Sequence, residues 1–176
     1  EKHQRFVEIM HKSGKHLLEM INDVLDISKI ESDKMVLQSA DFSLHGLVDD
    51  ICDMFEMPCL EKGLELKIEY DRRLPSTFIG DAKRLRQVLI NLLGNSLKFT
   101  EKGVISLKVL LKDTATANNS GKARVYFEVA DTGRGIPADQ LQPIFEPFRQ
   151  VIGYHSEGTG LGLAISQRII SMLGGE

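Results

Sequence analysis

The sequence predicts an α+β fold: a two-layer α/β sandwich with helices on one face of a mainly antiparallel sheet, preceded by a long bundle helix. Three features point to it. Arg5 to Ile30 contains no proline and keeps an apolar seam at alternating four- and three-residue steps. Helical and strand patterns then follow one another without strict βαβ alternation. A helix from Asp81 to about Phe99 carries Leu85, Val88, Leu89, Leu92, Leu93 and Ser96 on one side, which must lie on a sheet.

The elements follow in order. The seam of the first helix is Phe6, Met10, Ser13, Leu17, Met20, Val24 and Ile27, and a second stripe of Ile9, Ile21, Leu25 and Ile30 widens it beyond one antiparallel partner. That favours a four-helix bundle, whose other helices are expected from an upstream segment and a second copy, so a homodimer is expected. After the polar Glu31–Lys34 break, Met35 to Leu37 reads as a short strand. Ser43 is placed to cap a helix with Leu44, Leu47, Val48, Ile51, Met54 and Phe55 on its apolar face, interrupted or kinked at Pro58. Leu64, Leu66 and Ile68 alternate with charged residues as a half-buried strand. Asp81 caps the next helix, strands follow at Val104–Leu111 and Ala123–Ala130, and Thr114–Lys122 between them reads as a surface loop. The last helix runs from about Gly160 to Leu173 and stops at Gly174-Gly175. The chain begins inside a helical pattern and ends where another strand is expected.

Composition narrows the function. With 42% hydrophobic and 27% charged residues the 176-residue chain is well supplied for a core. A net charge of -3 lacks the basic surplus that neutralises a phosphate backbone, so nucleic acid is not an expected partner. No apolar run approaches the roughly 20 residues of a membrane span. Cys52 and Cys59 make neither a disulfide framework nor a zinc set, and the five histidines lack metal-ligand spacing.

The chemistry lies in three places. At about 100 degrees per residue, Arg84, Gln87, Asn91, Asn95 and Lys98 fall on one side of the Asp81–Phe99 helix. A solvated helix face is usually polar, but it favours Glu and Lys, whereas Asn is a poor helix former. Amide oxygens with a lysine one turn on suit Mg2+ and the phosphates it bridges. Second, Asp131-Thr132-Gly133-Arg134-Gly135-Ile136-Pro137 follows a strand directly; the glycines permit close approach of a flat ligand, and Asp131 can accept a hydrogen bond from an exocyclic amine. A lone GxG also fits a tight strand-to-helix connection. Third, Gly158-Thr159-Gly160-Leu161-Gly162 opens the last helix, whose backbone amides and dipole suit anionic oxygen. A dinucleotide fingerprint and a Walker A loop both fail on position and spacing. Between the glycine boxes, Phe145 and Phe148 flank Pro147 in a loop suited to hinge a lid.

Taken together these residues resemble the sensor histidine kinases, within the ATPase superfamily shared with type II topoisomerases and chaperone and repair ATPases. The likeness covers nearly the whole chain: a bundle helix ending Asp26-Ile27-Ser28-Lys29-Ile30-Glu31, whose wording resembles hybrid kinases, an asparagine box (Asn91–Thr100), the two glycine boxes and the phenylalanine box. The resemblance implies a Bergerat-type ATP-binding fold, with residues 1–33 as the second helix of the dimerisation and histidine-phosphotransfer bundle and 34–176 as the catalytic domain lacking its C-terminal strands. It implies that Asp131 binds the adenine amine, that Gly133, Gly135 and Ile136 shape the base pocket, that Asn95 ligates Mg2+, and that Lys98 with Thr159, Gly160, Leu161 and Gly162 holds phosphate. Asn91 stands where hydrolysing relatives carry a glutamate that activates water. An amide cannot act as general base, so Asn91 and Lys98 belong to a site that holds ATP for another acceptor.

Two departures stand out. No histidine here has the acidic neighbour of the family's phosphoacceptor, which is therefore expected upstream. The lid, Val151–Glu157, is short and offers only Tyr154 and His155 where kinases often place a basic residue. The expected function is ATP- and Mg2+-dependent phosphorylation of a bundle histidine for relay to a response-regulator receiver domain, in the cytoplasmic portion of a membrane-bound receptor. The alternative is an ATP-binding regulatory module that controls another kinase by heterodimerisation. A chaperone- or repair-type ATPase is disfavoured by Asn91 and by the bundle helix.

Overall fold

The computed structural model describes residues 2–32, 34–114, 123–150 and 158–176. In chain order they form α1 (Lys2–Glu31), β1 (Ala40–Phe42), α2 (Leu44–Glu61), β2 (Leu64–Tyr70), β3 (Phe78–Gly80), α3 (Ala82–Phe99), β4 (Gly103–Thr114), β5 (Ala123–Asp131), single 3-10 turns at Ala138–Gln140 and Pro143–Phe145, and α4 (Gly162–Met172). They divide into two compact units, Gln38–Ile136 and Glu1–Leu37 with Pro137–Glu176. The α+β class is as expected.

In the Gln38–Ile136 unit both helices start where the sequence places a cap. The Ser43 side chain accepts from the Gly46 amide at 3.1 Å. Asp81 does more: one carboxylate oxygen accepts from the Arg84 amide at 3.0 Å and the other from the Gln38 amide at 2.9 Å, which ties the helix start to the strand entry. α2 is not interrupted at Pro58 and runs on to Glu61. A proline removes one ladder donor, a loss that packing of the buried face offsets.

The main sheet has the order β2-β4-β5. It is mixed rather than mainly antiparallel: β2 runs parallel to β4, from Leu64 opposite Gly103 to Tyr70 opposite Val109, while β4 and β5 are antiparallel. The reason is the connection. The chain between β2 and β4 carries α3, and a strand-helix-strand crossover returns the second strand parallel to the first. A second, antiparallel ladder joins β1 to β3, with Phe42 opposite Phe78.

β4 shows the period-two rule at the centre of the core. Ile105, Leu107, Val109 and Leu111 are buried and share a cluster with Leu44, Val48, Ile51 and Phe55 of α2 and Leu89 and Leu93 of α3. Each such side chain contributes about 1.5–3 kcal/mol on leaving water. Residues of the other parity meet polar partners: Lys108 lies opposite Glu128 in register, 3.2 Å from its carboxylate, and this pairing pushes the Lys108 ammonium up. The sheet therefore carries helices on one face, as a two-layer sandwich requires.

In the other unit, α4 lies against α1 and buries Ile165, Ser166 and Ile169. Phe6, Met10, Leu17 and Val24 of the α1 seam, and Leu25 of the second stripe, are half or more exposed. The strand expected at Met35–Leu37 does not form. The amides of Lys34 and Met35 both bond to the Lys29 carbonyl, at 2.8 and 3.2 Å, so the chain reverses over the end of α1 and has no free edge there. α4 ends as expected: Gly174 has φ 78°, and Gly174 and Gly175 bond back to Ser171 and Ile170. Among the described residues, no helix is long and apolar enough to cross a membrane. The surface loop expected at Thr114–Lys122 lies, from residue 115 on, outside the described residues.

Candidate functional site

The polar face of α3 places Asn91, Asn95 and Lys98 on successive turns. It is not an open solvated face. Arg84, Gln87, Asn91 and Asn95 are half-buried, while Lys83 and Lys98 are exposed. The Arg84 guanidinium donates to the Gln87 side-chain carbonyl at 2.7 Å, one turn further along. At the C-terminal end, Lys62, the C-cap residue of α2, donates to the carbonyls of Leu97 and Thr100 at 2.7 and 3.3 Å. These are orphan acceptors of a helix end, so the ammonium fixes the end that carries Lys98.

The register of the sheet decides what meets that end. β5 pairs its last residue, Asp131, with Ile105, near the start of β4 and close to where α3 ends. The Asp131 carboxylate is held through both oxygens: the Ser96 hydroxyl donates to Oδ2 at 3.0 Å, and the Gly133 amide donates to Oδ1 at 2.9 Å. Gly133 is glycine because of its neighbours, since a Cβ there would stand 2.7 Å from the Phe99 carbonyl and 2.8 Å from Asp131 Oδ1. Gly135 has open space around it but a φ of +69°, which only glycine adopts readily. Thr132 turns its hydroxyl back to the start of β4, accepting from the Val104 amide and donating to the Lys102 carbonyl. Ile136 is exposed at the end of the box. Lys98 and Arg134 both lie over the Phe99 ring, at 4.9 and 4.8 Å from its centroid, which groups two cations at the mouth of the turn. Asn91, Asn95, Lys98, Asp131, Gly133, Gly135 and Ile136 thus belong to one unit.

The second glycine box belongs to the other unit. Gly160 has φ +71°, and a Cβ on it would meet the Phe148 and Arg149 backbone at 2.8 and 2.9 Å. The phenylalanine box is therefore packed on the glycine box. Phe148 itself has φ 63°, an uncommon conformation for a bulky residue. The Thr159 hydroxyl accepts from the Leu161 amide at 3.1 Å and donates to Asp23 of α1 at 3.2 Å. α4, unlike α2 and α3, has no side-chain cap, and like them it has no acidic residue in its first turn. Its first amides from Gly162 onward have no partner within the helix, the arrangement that accepts anionic oxygen. The lid residues Val151–Glu157 lie outside the described residues.

Ser96 and Lys62 were not among the expected site residues. Ser96 had a signal: a hydroxyl three and four residues beyond Leu93 and Leu92, on a face otherwise apolar. Lys62 had none, because its role depends on α2 ending beside α3.

The family described as histidine kinase-, DNA gyrase B- and HSP90-like ATPase matches residues 80–176. Hybrid signal transduction histidine kinase B of Dictyostelium discoideum is 39% identical over 98% of this chain, and the signal transduction histidine-protein kinase BarA of Escherichia coli is 38% identical over 95% of it. The chain spans 9% and 18% of the length of those two relatives. Among solved structures, full-length ShkA in complex with AMPPNP superposes with a TM-score of 0.81 at 34% identity, over 99% of this chain and 35% of that one. Histidine kinase ThkA in complex with the response regulator protein TrrA gives a TM-score of 0.65 at 26% identity, over 97% of this chain and 44% of that one.

Proposed function

The chain belongs to the histidine kinase-, DNA gyrase B- and HSP90-like ATPases, as the catalytic region of a sensor histidine kinase, and from that premise we propose that it binds Mg-ATP and transfers the γ-phosphoryl group to a bundle histidine for relay to a receiver domain. The observation that carries the proposal is the Asp131 carboxylate, fixed at the end of the α3 face that bears Asn91, Asn95 and Lys98.

Each group has a task in this reading. Asp131 accepts from the adenine 6-amino group, beside the surfaces of Gly133, Gly135 and Ile136. Lys98 and the main chain at Thr159, Gly160, Leu161 and Gly162 hold phosphate oxygens. Among the described residues no three His, Cys, Asp or Glu side chains cluster to cage a metal ion. A cation that keeps several waters and borrows its remaining oxygens from phosphate fits that donor set, so Asn95 would give Mg2+ one amide oxygen. When bound there the ion offsets phosphate charge. Asn91 cannot take a proton from water, which leaves ATP intact until an imidazole nitrogen arrives with its own lone pair.

The α1 seam, exposed along most of its length, supports docking of further bundle helices from a second copy. A response regulator as downstream partner is supported by the ThkA–TrrA complex, and the hybrid-kinase relatives support relay within a longer protein.

Calorimetry with ATP and Mg2+ on the wild type and on Asp131→Asn tests the site. The expected result is binding that the substitution weakens at least tenfold with no change in melting temperature. Equal affinities would overturn the assignment. Phosphate transfer to an intact bundle histidine, supplied with the full-length protein, tests the activity; ATP binding without transfer would favour a regulatory module.

A further inference from the structure

We propose that Ser96 is a positioning residue that holds the Asp131 carboxylate as a ready hydrogen-bond acceptor and thereby sharpens selection of 6-amino purines; this rests on the assignment of Asp131 to adenine.

Position supplies the first reason. Ser96 sits on the apolar side of α3, 5% exposed, in line with Leu89 and Leu93. An alanine there would be a better helix former and would leave no polar atom to satisfy. A serine inside a helix commonly turns its hydroxyl back to the carbonyl four residues earlier. Here the hydroxyl instead donates across to Asp131 Oδ2, 35 residues away in sequence, at 3.0 Å.

Charge and geometry supply the second. The Gly133 amide holds Oδ1 and the Ser96 hydroxyl holds Oδ2, so the plane of the carboxylate is set by two donors on opposite oxygens, one from the turn after β5 and one from α3. A carboxylate so held presents its remaining lone pairs in one direction and repels a ligand that offers another acceptor, such as a 6-oxo purine. Without Ser96 the group regains rotamer freedom and must be ordered anew by each nucleotide. Ser96 need not touch the base.

The test compares wild type, Ser96→Ala and Asp131→Asn, each in the full chain with Mg2+, by calorimetry with ATP and with purine riboside triphosphate, which has hydrogen in place of the 6-amino group. Ser96→Ala is expected to raise the Kd for ATP about three- to tenfold, in line with loss of one charge-assisted hydrogen bond, while the Kd for the purine riboside analogue stays within twofold. A merely structural serine would weaken both ligands alike, and that result overturns the proposal. So does an unchanged ATP affinity in Ser96→Ala alongside a weakened one in Asp131→Asn. If Asp131→Asn also leaves ATP affinity untouched, the adenine assignment itself is lost and the proposal with it.

Discussion

Substituting Gly133 by alanine tests the turn after β5 at its tightest point. A methyl group at this position would stand 2.7 Å from the Phe99 carbonyl oxygen, 2.8 Å from Asp131 Oδ1 and 3.1 Å from the Phe99 carbonyl carbon. The first of these is about 0.7 Å inside ordinary van der Waals contact. Two of the three atoms are backbone at the end of α3, which Lys62 holds in place, so the turn must move instead. Moving it breaks the Gly133 amide bond to Asp131 and pushes the carboxylate off its line. Overpacking of this kind costs about 1–3 kcal/mol in folding, and a weakened hydrogen bond to a charged acceptor costs about 1.5–3 kcal/mol in binding. The Kd for Mg-ATP should therefore rise about 10- to 100-fold, read by calorimetry, with a melting temperature lowered by a few degrees. Tight ATP binding by Gly133→Ala would refute both the close fit at Phe99 and the part given to the held carboxylate.

Gly160→Ala should disturb the other unit, because it combines a φ of +71° with contacts of 2.8–3.1 Å to the Phe148–Arg149 backbone; ATP affinity should fall while the β2-β4-β5 core keeps its hydrogen-exchange protection. The Arg73 guanidinium and amide, with the Leu111 amide, hold the Asp71 carboxyl well below the usual carboxylate range. A depressed folded value means stability that is complete above the ordinary value of about 3.9 and is lost as the pH falls through the folded one. Denaturant melts should accordingly show a larger wild-type advantage over Asp71→Asn at pH 7 than in strong acid. Leu107→Ala removes a side chain with no exposed surface at the centre of β4 and should cost about 2–5 kcal/mol in chemical denaturation. Burial pushes the Cys52 thiol up to about 11, with Asp49 and Asp53 adding to it, so alkylation of the native protein at neutral pH should leave Cys52 unmodified.

The reach of the sequence follows from how local each signal is. Ser43 and Asp81 were legible as caps because a cap is a residue and its next turn. The limits of α3 and the presence of the strands β4 and β5 were legible from periodicity over many residues. β1 and β3 were not, since three-residue strands are too short to alternate and they exist only through each other. Sheet direction was misread because strand patterns do not record polarity, although a helix lying between two strands is itself a sign of a parallel crossover. In the site, the asparagine face and the glycine boxes were legible because they break local rules: asparagine in mid-helix and glycine at helix starts. Ser96 was seen as a face residue but not as a partner of Asp131, because a hydroxyl's target depends on which strand end the fold brings over it.

What distinguishes the three main helix starts is how their first amides are satisfied. α2 and α3 meet theirs with Ser43 and Asp81, whereas α4 opens with glycines and no side-chain cap. A capping side chain contributes about 0.5–2 kcal/mol, which the start of α4 forgoes, its N-cap position being taken by the buried Leu161. The same preference for function over local stability recurs at Asn91 and Asn95 on α3 and at Phe148 with its φ of 63°. Such departures gather at sites where structure serves a ligand. They predict that an acidic residue at Leu161 would weaken any triphosphate held there by like-charge repulsion, while the loss of a side chain that is only 1% exposed lowers the melting temperature. ATP affinity left intact in the folded variant would show that the start of α4 lies away from the phosphates.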